Sequence, residues 1–255
     1  MLAQWWERVT VAQAPLDWRW ALAMAGVALV LAWSPAGYRL VRHLVTLVHE
    51  AGHALIAVLA GRRLRGIRLH SDTSGVTLSR GKPRGPGMVL TLAAGYPAPA
   101  VVGLAGAWLL GAGYAAGWLW LLVLTCALML LLIRNLYGLW VVLATGVAVA
   151  ALSWMAAPVV LQCAAHLAVW SLLLAAPRSV VELQRQRRRI LRRYGGPRGD
   201  RSGWGGRSGR SSVPGMDSDV DQLGRLTGVP AVVWTGLFWL LCVGCLAGSG
   251  WILFA

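Results

Sequence analysis

The stretch His49-Glu50-Ala51-Gly52-His53 lies inside a segment, Leu40 to Ala60, that is otherwise almost wholly apolar. An apolar run of about 20 residues is long enough to span a membrane. Ionisable groups at that depth are costly, and they mark function. Residues four apart share one face of an α-helix. His49 and His53 therefore present two imidazoles to one metal ion. Glu50 sits one step round the helix, placed to accept a proton from an attacking water rather than to bind the metal. A solvated helix carrying two surface histidines does not account for so apolar a setting.

Composition agrees with a membrane chain. Of 255 residues, 57% are hydrophobic and only 13% charged, against about a quarter charged in a soluble domain. The net charge of +15 raises the question of nucleic acid. However, the arginines cluster in links between apolar runs, the pattern of the positive-inside rule, so no nucleic-acid partner is expected. Cys126, Cys163, Cys242 and Cys245 all lie in apolar runs. Cys242 and Cys245 form a single C-x-x-C that fills helix surface. The first apolar run, near Trp20 to Trp33, lacks a small-residue cleavage site and reads as a retained span.

In chain order, that first span is followed by the motif helix, from about Arg39 to Ala60. Arg62, Arg63, Arg65 and Arg68 then mark a cytoplasmic end. Leu64 to His70 and Val76 to Ser79 alternate apolar with polar across Ser71 to Gly75, which predicts a β-hairpin over about 64–80. A third span, Met88 to about Gly113, is rich in Gly and Ala, and Pro97 and Pro99 would bend it. Further spans are expected at Trp118 to Ile133, Leu139 to Leu152, Ala157 to Ala176 and Pro230 to Phe254.

The expected fold is thus an all-α polytopic membrane protein of about seven transmembrane helices with a small β-hairpin after the motif helix. Residues 1–176 form a core of six spans. Residues 177–216 form a cytoplasmic arginine-rich helix and a disordered Gly/Ser/Arg linker. Residues 217–255 form an acidic segment and the final span. The arginine bias puts the N-terminus in the cytoplasm and the C-terminus outside. Arg39 and Arg42 fit this frame poorly, because they fall at the outer end of the motif helix.

A catalytic zinc takes three protein ligands and one open position. The sequence resembles the site-2 protease family of intramembrane metalloproteases, in its M50B-like bacterial branch. The matching residues are His49-Glu50-Ala51-Gly52-His53-Ala54-Leu55, Gly61, the strand-like insertion, Ala94-Gly95-Tyr96 and Arg134-Asn135-Leu136-Tyr137-Gly138, with a looser match from Asp217 to Trp234. The resemblance implies Zn2+, a bacterial plasma membrane, and hydrolysis of peptide bonds in a substrate that is itself a transmembrane segment.

Such proteases usually take the third ligand from an aspartate in a short Asp-Gly motif. Here the matching turn offers Asn135, a poorer donor. Asp217, Asp219 or Asp221, at the mouth of the last span, and His166 remain as alternatives. The leading function is therefore a zinc intramembrane endopeptidase with Glu50 as general base and His49 and His53 as ligands. The alternative is a non-catalytic membrane scaffold or metal-binding relative. A transporter or channel is disfavoured, because the spans outside the motif carry almost no ionisable residues. Substrate identity and oligomeric state are not legible in the chain.

Overall fold

The computed structural model describes residues 6–7, 9–194 and 218–254. The linker expected at 195–215, and Asp217, lie outside the described residues. In chain order the elements are α1 (Trp18–Trp33), α2 (Pro35–Leu59), β1 (Arg63–Leu69), β2 (Gly75–Arg80), α3 (Pro86–Ala94), α4 (Ala98–Gly111), α5 (Ala115–Leu132), α6 (Leu136–Met155), α7 (Pro158–Tyr194), α8 (Asp219–Thr227) and α9 (Ala231–Phe254). Helix α7 packs against α1, α4 and α9, and α5 packs against α6. Small residues permit the closest of these contacts. A Cβ on Gly103 would lie 2.8 Å from Leu173 Cγ, and one on Gly106 would lie 2.7 Å from Val169 Cγ2.

The motif helix α2 does not continue α1. The two meet at 98°, and the local sequence supplies the bend. Ser34 is extended (ψ 150°) and its hydroxyl accepts from the Gly37 amide, while Pro35 occupies the first turn, where its missing N–H costs nothing. A Cβ on Gly37 would meet Leu31 Cα and O at 2.7 Å, so the bend closes only around glycine. The helix therefore begins at Pro35, earlier than the sequence suggests. With so sharp a turn the two ends of α2 need not lie on opposite membrane faces. Arg42 instead pairs with Glu182 of α7 at 3.3 Å, and Arg178 of α7 lies 3.8 Å over the Tyr38 ring.

A second break separates α3 from α4 by 65°. It falls at Gly95-Tyr96-Pro97, where proline removes a ladder donor, as the sequence anticipates. Among the described residues, four helices are long and apolar enough to cross a membrane, or up to six if each bent pair is one span. The count of seven is not confirmed, because it takes α1 and α2 as two crossings although they form a single bent pair. The side on which α9 ends depends on that count. Helix α7 is also longer than expected, running on through Pro177 to Tyr194 without a break.

The hairpin forms as the alternation predicts. Register runs from Arg63 opposite Arg80 to Leu69 opposite Gly75, with a bulge between Leu64 and Gly66. The other edge of β1 is held by the α5–α6 link. Arg134 N–H donates to Ile67 O at 2.9 Å, and Ile67 bridges to Ile133. Among the described residues β2 therefore keeps a free edge.

Candidate metal centre

The α2 backbone places His49 and His53 one turn apart, with their rings 4.6 Å apart edge to face. His49 Nε2 and His53 Nε2 are 3.0 Å apart. Asp219 Oδ2 lies 3.3 Å from the first and 3.2 Å from the second. All three potential ligand atoms fall within 4.8 Å of one another. His53 Nδ1 lies 2.7 Å from Thr91 O. A carbonyl can only accept, so Nδ1 carries the proton and Nε2 presents a lone pair. Three potential ligand atoms thus converge on one point, and a cation between them would satisfy all three. Two imidazoles and a carboxylate are a zinc donor set, and the Thr91 carbonyl is the outer partner that fixes a ligating histidine's tautomer. The residues fit the group.

Asp219 reaches the centre because α8 is pinned at two points. Val220 and Leu223 are fully buried in the core. Asp221, two positions along and therefore facing another way, accepts from Arg187 of α7 through Nη2 at 2.8 Å and Nε at 3.0 Å. Both side chains of the pair are largely buried. Removing one partner of a buried pair costs about 3–5 kcal/mol, and here part of that cost falls on the position of Asp219. Arg187→Gln is expected to weaken zinc affinity about 10- to 100-fold in a metal-competition titration, with Arg187→Lys closer to wild type.

Glu50 is buried and points to the hairpin, where the Thr77 hydroxyl donates to Glu50 Oε2 at 2.5 Å. Gly75 makes room for it, since a Cβ there would lie 2.7 Å from Glu50 Cγ. Thr46 Oγ1 donates to Thr73 O at 2.8 Å and binds the hairpin turn to α2. Gly95 at the α3–α4 break lies close against the imidazoles. A Cβ on it would meet His53 Nε2 and would lie 2.6 Å from His49 Cε1. Gly95→Val is expected to cut bound zinc by at least half in metal analysis, although no ligand is changed. A cavity of about 510 Å3 joins these groups, with His49, Glu50, His53, Thr77, Tyr96 and Asp219 in its wall.

The other described candidate ligands lie elsewhere. The Asn135 amide donates to Leu69 O at 2.6 Å and its Oδ1 accepts from Leu69 N–H at 3.2 Å, so the residue completes the β1 edge rather than the cluster. Its neighbour Tyr137 donates to His43 Nε2 at 2.9 Å. His166 is buried in α7 with Nδ1 2.9 Å from Gln162 O. Asp221 is held by Arg187, and Asp217 is outside the described residues. Thr77, Thr91 and Arg187 had no signal in the sequence. Each is a single residue whose role depends on a partner from a distant element.

A family model described as Peptidase M50B-like matches residues 22–249. No curated protein and no solved structure matches the chain.

Proposed function

The chain belongs to the Peptidase M50B-like family, and from that premise we propose that it is an intramembrane zinc metallopeptidase acting on membrane-spanning protein segments. The observation that carries this reading is the convergence of His49, His53 and Asp219 beside a buried Glu50 in one cavity. In this proposal His49, His53 and Asp219 hold the metal. When bound, zinc supplies Lewis acidity to the attacking water and to the scissile carbonyl. Glu50 takes the proton from that water and passes it to the leaving amine. The Thr77 hydroxyl holds the Glu50 carboxylate in place for both transfers. Tyr96, whose ring packs edge-on 4.8 Å from His49, keeps that imidazole facing the cavity.

A helix must be unwound before its peptide bonds are accessible, and β2 is suited to that task. Its free edge offers backbone hydrogen bonds to an extended substrate. Its alternate residues Gly75, Thr77 and Ser79 face the cavity, beside Glu50. We place the protein in a bacterial plasma membrane, with the arginine-rich end of α7 in the cytoplasm. The non-catalytic reading depended on Asn135 as a poor third donor. The Asp219 carboxylate 3.2 Å from His53 supports the catalytic reading instead.

The test is metal dependence of hydrolysis. Purified full chain reconstituted with a panel of transmembrane peptides should cleave at least one. Treatment with 1,10-phenanthroline should abolish cleavage and added zinc should restore it. A zinc-loaded, folded protein that hydrolyses none of them in detergent or in bilayers would contradict the proposal.

A further inference from the structure

The open end of the hairpin carries an arrangement that the metal centre does not use. Arg63 and Arg80 are direct cross-strand partners, and like charges facing each other across strands are destabilising. The bulge between Leu64 and Gly66 brings Arg65 to the same place. The three arginines line one open cavity of about 620 Å3 together with Gly61, Leu64 and Gly81. All three are exposed. Among the described residues, no carboxylate pairs with them. The sequence has no Asp or Glu from Thr73 to Val181, and Asp72 lies at the far end of the hairpin. Neighbouring Arg62, by contrast, is occupied. It donates to Ser79 Oγ at 3.0 Å and to Lys82 O at 2.7 Å.

Three unpaired guanidiniums around one opening are a site for a phosphate group, which arginine binds in a bidentate manner. The surroundings choose its source. The last turns of α2 lead directly into this opening and expose Leu55, Val58 and Leu59 at 60%, 55% and 73%. Apolar side chains so exposed, next to a basic cluster in a multi-pass chain, fit acyl chains beside a headgroup. We propose that Arg63, Arg65 and Arg80 form a binding site for the phosphate of an anionic phospholipid, with its acyl chains against the exposed face of α2. The lipid neutralises the Arg63–Arg80 opposition and fixes the level at which the hairpin meets the bilayer surface.

The experiment uses delipidated full chain in neutral detergent, titrated with dioleoylphosphatidylglycerol or dioleoylphosphatidylcholine and read by native mass spectrometry. Wild type should prefer the anionic lipid by at least about tenfold. Arg63→Gln/Arg65→Gln/Arg80→Gln should lose that preference, and the same three positions changed to Lys should retain part of it. Arg185→Gln/Arg188→Gln/Arg189→Gln, which removes the same charge from the exposed face of α7, should keep it. Unchanged zinc content in every variant establishes that the fold and the metal centre are intact and separates this result from the peptidase proposal. Equal lipid preference in wild type and the first variant overturns the site. So does an equal loss in the α7 control, which would mean bulk charge alone. Displacement of the lipid by millimolar inorganic phosphate overturns the lipid as the occupant.

Discussion

Glu50→Gln is expected to lower peptide hydrolysis by about 100- to 10,000-fold, the range spanned by positioned acid–base catalysis, while bound zinc stays at about one per chain. Glutamine keeps the shape and can still accept from Thr77 Oγ1, which lies 2.5 Å from Glu50 Oε2, so the hairpin contact survives. What it cannot do is take a proton from water. The buried setting sharpens the effect, because among the described residues no other carboxylate at this part of the wall is free to take over. Glu182 and Asp219 share the cavity, but Glu182 is paired with Arg42 and Asp219 with the two histidines. Full activity in the glutamine variant, with a zinc-loaded wild type as reference, would remove Glu50 from the chemistry. Loss of zinc in that variant would instead make Glu50 part of the metal's support.

Much of this arrangement is legible in the chain because its signals are local. A four-residue spacing puts two histidines on one helix face. Period-two alternation around Ser71-Asp72-Thr73-Ser74-Gly75 gives the hairpin, and Pro97 marks the α3–α4 break. What the sequence withholds is set by tertiary geometry. The Ser34-Pro35 junction reads as a boundary between two spans, yet nothing local encodes a 98° turn that makes α1 and α2 one bent pair. Asn135 sits where the resemblance implies a ligand, but an amide has both a donor and an acceptor, and a strand end offers both partners. The backbone of Leu69 uses them. Asp219 is one of three aspartates spaced two apart, which sequence alone cannot rank. Only the pairing of Asp221 with Arg187, 34 residues earlier in the chain, turns its neighbour toward the histidines.

The measurement that bears most directly on the centre is therefore zinc per chain in Asp219→Ala beside Asn135→Ala, both purified as full chains and checked for helical content. Among the described residues, Asp219 supplies the one carboxylate within reach of both imidazoles. Loss of an outer partner alone weakens metal sites about 10- to 100-fold, and removing a ligand should cost more. Two imidazoles with no third donor hold zinc weakly. Asp219→Ala should therefore fall from about one zinc per chain to nearly none, with hydrolysis lost in parallel, and Asp219→Glu should recover part of both. Asn135→Ala should keep its zinc, because its amide serves the Leu69 backbone at the hairpin's edge. The opposite pattern, zinc retained without Asp219 and lost without Asn135, would contradict a centre built from α2 and α8.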